Sequence, residues 1–167
     1  VQAAGAPSAT IDDPQDVLTP EDEQRLQRDT ANINAADVVT DFHYMVFKTN
    51  HENILDDVEE LLRSQYPELI DQSKGENGRP ADGVLIVGVG LDPRQAFIYG
   101  GDDVTETLML DDDSYRESLL DALKDGVKDG NIPSGLFRTA NLAMSADTLA
   151  QRRAVSYTHL TLPTIYS

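Results

Sequence analysis

The sequence predicts an α/β fold: a single three-layer α/β/α domain whose mixed sheet combines a strand–helix–strand unit with a hairpin, flanked by helices. Three observations predict it. Val38 to Lys48 carries Val, Phe, Tyr and Met without Gly or Pro, the composition of a strand. Ile54, Leu55, Val58, Leu61, Leu62 and Tyr66 then recur at helical spacing, with Asp56, Asp57, Glu59 and Glu60 on the opposite face. Val84-Leu85-Ile86-Val87-Gly88-Val89 is apolar on both faces, as a central strand covered on two sides must be. Leu91-Asp92-Pro93-Arg94 turns the chain, and Gln95 to Tyr99 returns as a shorter strand. The strand–helix–strand unit is expected to be parallel and the hairpin antiparallel, so the sheet is mixed.

In chain order, Val1 to Thr10 is uncharged and aperiodic. Residues 1–10 are therefore assigned to a disordered linker of the kind that follows a removed signal peptide. The domain is assigned to residues 11–150. Leu18-Thr19-Pro20-Glu21-Asp22-Glu23 starts a helix: Thr19 caps, Pro20 suits the first turn, and three acids meet the positive end of the dipole. Leu26 and Ile33 give that helix a thin apolar stripe, which places it on the outside. Pro67 ends or bends the second helix, and Asp71 to Ala81 is a polar loop. Ser114-Tyr115-Arg116-Glu117 has the form of a capping box, followed by Leu119, Leu120, Leu123 and Val127, with Gly130 as the residue after the helix. Leu136, Ala140, Ala143 and Met144 suggest a last helix of small residues. Residues 154–167 lack acids and helical period, and are expected to be a non-native or disordered tail resembling translated adapter sequence.

Composition narrows the function. The chain has 167 residues, a net charge of −17 and no cysteine. Nucleic acid is excluded as a partner, because a phosphate backbone needs a basic footprint. Disulfides, thiolate catalysis and Cys-based metal sites are excluded as well. No run reaches the length of about 18 apolar residues that a membrane span requires.

Few motifs carry chemistry. Gly88-Val89-Gly90 lacks the third glycine and the following helix of a dinucleotide fingerprint. The stretch from Asp125 resembles a calcium loop, but Val127 and Leu136 stand where ligands belong. His43 falls within a strand and is expected to be a packed or edge side chain, and His51 to cap a helix start. The acids are the concentrated chemistry. Asp82 precedes the central strand and Asp102 and Asp103 follow its hairpin partner, so an antiparallel pairing brings them together, with Asp111 near the next helix. Such carboxylates are the candidate metal ligands, for Ca²⁺ or Mg²⁺. Asp112 and Asp113 are assigned to the helix dipole, and Arg94 is a candidate anion-binding residue.

Asp82-Gly83-Val84-Leu85-Ile86-Val87, a turn, Arg94, a short strand and Tyr99-Gly100-Gly101 together resemble the TPM domain family, as does Leu18-Thr19-Pro20-Glu21 upstream. That family includes thylakoid-lumen acid-phosphatase-like proteins and bacterial exported, membrane-anchored proteins. Ala81 stands where it often has a second acid. The resemblance implies an extracytoplasmic α/β/α domain, membrane-anchored in the full-length protein, with divalent cation binding at Asp82, Asp102, Asp103 and Asp111. Two functions are expected from it: an interaction or regulatory module at the cell envelope, monomeric and serving an unknown protein partner, or a metal-dependent acid phosphatase.

Overall fold

The computed structural model describes residues 8–75 and 78–154. Its sheet has four strands in the order β1-β2-β5-β6: β1 (Ala9–Asp12), β2 (Asp41–Phe47), β5 (Val84–Leu91) and β6 (Arg94–Gly100). β1, β2 and β5 run parallel, and β6 returns antiparallel to β5. The mixed α/β sheet with flanking helices is the architecture the sequence predicts.

β1 corrects the expected boundary of the linker. Ala9 and Thr10, assigned to a disordered stretch over 1–10, pair with Phe42 and His43 as the edge of the sheet. Four residues with one neighbouring strand carry almost no local signal, and the ladder to β2 is what holds them extended. Residues 1–7 and 155–167 of the two expected tails lie outside the described residues. At the other end, residues 146–154 are helical, and Arg152 bonds Asp112 at 2.8 Å while Arg153 donates to the Thr107 carbonyl at 3.2 Å. The ordered domain thus runs past the expected limits of 11 and 150.

Helix α1 (Pro20–Thr30) begins with the expected cap. Asp22 N donates to Thr19 Oγ1 at 3.1 Å, and Thr19 N donates back to Asp22 Oδ2 at 3.2 Å. Its thin stripe is enough to anchor it. Leu26 is buried, and buried Thr30 shares a 2.6 Å hydrogen bond with the Tyr44 hydroxyl of β2. Helix α2 (Ile54–Gln65) is capped by Asn53, whose Oδ1 accepts from Leu55 N at 3.1 Å. His51 does not cap it. Its backbone N and ring Nδ1 meet Asp57 instead, at 2.8 and 3.0 Å, and that carboxylate raises the imidazole's pKa.

The polar loop is not structureless. Ile70–Asp71 (β3) and Arg79–Pro80 (β4) form a two-rung antiparallel ladder, too short to show in the sequence. After β6 come α3 (Asp102–Thr107), α4 (Asp113–Lys128) and α5 (Ile132–Met144). The expected capping box at Ser114–Glu117 is corrected: Asp112 is the N-cap, its Oδ1 accepting from Tyr115 N at 3.0 Å, and Ser114 lies inside the helix. A carboxylate two residues upstream out-competes the hydroxyl for the same orphan amides. Gly130 follows the Asp129 C-cap with φ of 73°, as expected.

The sheet separates two apolar layers. Phe42, Tyr44, Val46, Leu85, Val87, Val89 and Ile98 pack with Leu26 of α1, Leu119 and Leu123 of α4, and Leu136 and Met144 of α5. On the other side, Met45, Phe47, Val84, Ile86 and Phe97 pack against Ile54, Val58, Leu61 and Leu62 of α2. The alternation along β5, with Val84 and Ile86 on one side and Leu85, Val87 and Val89 on the other, is the double coverage read from its composition. α4 and α5 touch at glycines. A Cβ on Gly126 would lie 2.6 Å from Gly135 Cα. Gly126→Ala is therefore expected to destabilise by about 1–3 kcal/mol through overpacking, despite the better helix propensity of alanine, about 1 kcal/mol. Urea unfolding checks it; a raised midpoint would show that the helices can separate at no cost.

Candidate functional site

The hairpin brings together the chain ends that the sequence places together. Gly101 N donates to the Val84 carbonyl at 3.1 Å, and a side chain on Gly101 would collide with the Ala81 carbonyl. Here the carboxylates take separate roles. Asp103 Oδ1 accepts from Gly83 N at 2.9 Å and from Val104 N at 2.7 Å, so it ties the start of β5 to the start of α3. Asp102 pairs with Lys74 Nζ at 2.9 Å and Arg79 Nη1 at 3.7 Å. The hydrogen bond from Lys74, and then its charge, hold the Asp102 carboxyl below the usual carboxylate range. Lys74 is raised in turn, by Asp102 first and by the charges of Asp71 and Asp82. Asp82 and Asp111 are exposed.

A lysine ammonium and a guanidinium therefore stand among the acids proposed as metal ligands. Among the described residues, no group of three or more His, Asp or Glu side chains is placed to hold a metal ion. The sequence contains both cations, but in a segment read as a loop, and only the β3–β4 ladder turns them toward α3. Asp103→Ala leaves the buried Gly83 amide without its acceptor and is expected to cost about 1–3 kcal/mol. Asp103→Asn, which keeps an acceptor, should cost less in the same denaturant titration.

A second polar group lies at the β1 edge, and no local pattern in the sequence joins its members. Asp12 accepts from the Tyr66 hydroxyl at 2.7 Å through Oδ1, and its Oδ2 meets His43 Nδ1 at 2.8 Å. The His43 and Tyr66 rings meet edge to face, 4.8 Å between centroids. His43 is 3% exposed and Asp12 7%. Burial, and then the bond to Asp12, push the Tyr66 phenol up to about 12. Both carboxylate oxygens are engaged, and no hydroxyl nucleophile bonds the His43 ring among the described residues. The group is suited to joining β1, β2 and α2. His43 is the packed side chain the sequence suggests, but its carboxylate partner, Asp12, lies 31 residues away on the neighbouring strand.

The third feature is the outer side of β6. Among the described residues no strand pairs with it there. Gly101 N bonds Val84 O, so by the antiparallel alternation Gln95, Phe97 and Tyr99 turn their backbone groups to β5, whereas Ala96, Ile98 and Gly100 turn theirs outward. The Gly100 carbonyl is met by Thr105 Oγ1 at 3.3 Å. A groove of about 480 Å³ follows Gln95 to Gly100, walled by Asn53–Leu55 on one side and by Arg116, Glu117 and Leu120 of α4 on the other. Arg79 and Asp111 also line it. It shares Gln95 and Ala96 with a groove of about 590 Å³ nearer the hairpin turn, lined by Arg94, Lys124, Lys128, Asp121 and Asp125. Arg94, the residue singled out for anions, is exposed there with Lys124 and Lys128 beside it.

No family model matches the chain, and no curated protein matches it. Among the described residues no helix is long and apolar enough to cross a membrane.

Proposed function

We propose that this chain is an extracytoplasmic interaction module of the cell envelope, and that it receives an extended segment of a protein partner along β6. The observation that carries the reading is the open edge of β6 set in a groove between two layers. Outward N–H and C=O groups at Ala96 and Ile98 offer a guest strand its ladder, and the groove walls offer its side chains pockets. The extracytoplasmic setting rests on the resemblance to exported TPM-type proteins.

Selection of linear peptides displayed against the immobilised chain tests the reading. Binders are expected, and Ala96→Pro should abolish their binding while leaving the melting temperature near wild type, since an edge strand tolerates proline where its N–H faces outward. Peptides N-methylated at alternate amides should lose affinity in one register only, a readout that leaves the protein unaltered. Absence of binders, or binders indifferent to both changes, overturns the module.

Cation binding at Asp82, Asp102, Asp103 and Asp111 is a separate proposal, and it requires Asp102 to exchange Lys74 and Arg79 for the ion. A rise in Tm with Ca²⁺ or Mg²⁺ that disappears in Asp82→Asn/Asp102→Asn supports it. Metal-dependent turnover of a phosphomonoester, lost in the same variant, would support the phosphatase reading in place of the module.

A further inference from the structure

We propose that the segment received by β6 is acidic at the end that lies beside Arg94, so that its carboxylates meet Arg94, Lys124 and Lys128. The inference rests on the reading of β6 as a docking edge and adds the chemistry of the guest.

Acids outnumber cations 30 to 13 in the whole chain, whereas cations are in slight excess in the groove by the hairpin turn. Three cations and two acids line it. Lys124 reaches Glu117 at 3.1 Å across an exposed surface, a contact of little strength. Among the described residues Arg94 and Lys128 enter no ion pair, although Asp121 and Asp125 line the same groove. Arg94 also belongs to β6 itself, four residues before Ile98 and in phase with it. Its side chain therefore shares the α4 side of the sheet with Ala96 and Ile98.

A guest strand hydrogen-bonded to Ala96 and Ile98 carries its own backbone past Arg94. A carboxylate there can accept from the guanidinium fork, the geometry in which arginine binds carboxylates best. The two ammonium groups of α4 add charge without a fixed direction. A basic guest is the opposite case: drawn to the chain by a net charge of −17, it would meet like charge at this end of the edge. Long-range attraction governs the encounter rate, whereas contact at the docked position governs residence and register.

The experiment uses the full chain and peptides taken from the display selection. Asp and Glu are expected to be enriched at one end of the selected peptides. Arg94→Glu/Lys128→Glu should weaken an acidic peptide at least tenfold with an unchanged melting temperature. The same peptide with its acids replaced by Lys should bind wild type weakly and regain affinity for the double variant. Peptides that depend on Ala96 but carry no acidic end, or that bind the double variant as well as wild type, overturn the inference and leave the docking edge standing. A selection that yields no edge-dependent peptide removes both.

Discussion

Val87→Asp is expected to yield a chain without a cooperative unfolding transition. Val87 is 0% exposed in the middle of β5, paired with Tyr44 on one side and Ile98 on the other. Its side chain enters the layer shared by α1, α4 and α5. A carboxylate there is set among the apolar side chains of that layer and must be buried unpaired or protonated. Several kcal/mol are lost in either case, on top of the packing removed with the isopropyl group. A domain of this size holds about 5–15 kcal/mol in total. Far-UV circular dichroism during urea titration reads the outcome. A steep transition near the wild-type midpoint would mean that Val87 faces water and that the order of the sheet is wrong.

The second large effect is expected at Asp12. Asp12→Ala removes the acceptor shared by Tyr66 and His43, and Nδ1 of the His43 ring, almost wholly buried, loses its carboxylate partner. The loss is expected to be about 2–4 kcal/mol, above that of a single neutral hydrogen bond because the acceptor is a carboxylate. Asp12→Asn, similar in shape, should fall between it and wild type. The Tyr66 phenol supplies an independent readout. Its ordinary value is 10.0 and burial with the Asp12 bond raises it to about 12. In Asp12→Ala the ultraviolet titration of this phenol should shift downward. The sign for stability follows from linkage. The unfolded chain ionises Tyr66 near pH 10 while the folded chain resists to about 12, so its contribution is complete below pH 10 and is lost as pH rises through that window. A titration at the same pH in wild type and Asp12→Ala would show that Asp12 does not govern the phenol.

Much of the fold is legible before the coordinates because it depends on patterns a few residues long. An apolar run at each position of Val84–Val89 admits only a strand covered on both faces. Ile54 to Tyr66 alternates apolar and acidic residues at the period of a helix. Thr19-Pro20 followed by acids is a helix start in almost any context, and the cap forms as read. Where two local signals compete, the reading slips by a residue or two: Asp112 and Ser114 both suit the start of α4, and Asp112, which also holds Arg152, is the one used.

The sequence by itself determined the α/β class, the doubly covered strand, the hairpin and the meeting of its ends at Asp82 and Gly101. It also determined the acidity, 30 acids against 13 cations. These follow from periodicity and charge, which are properties of the chain near each residue. Only the tertiary structure decided that Ala9–Asp12 joins the sheet, that Asp12 gathers His43 and Tyr66, and that Lys74 and Arg79 stand on Asp102. It alone decided that the outer side of β6 opens on a groove. The reason is the range of the interactions. A four-residue strand, a buried carboxylate and an ion pair each take their energy from a partner tens of residues away, and that partner is chosen by strand order and layer packing, which no local pattern encodes.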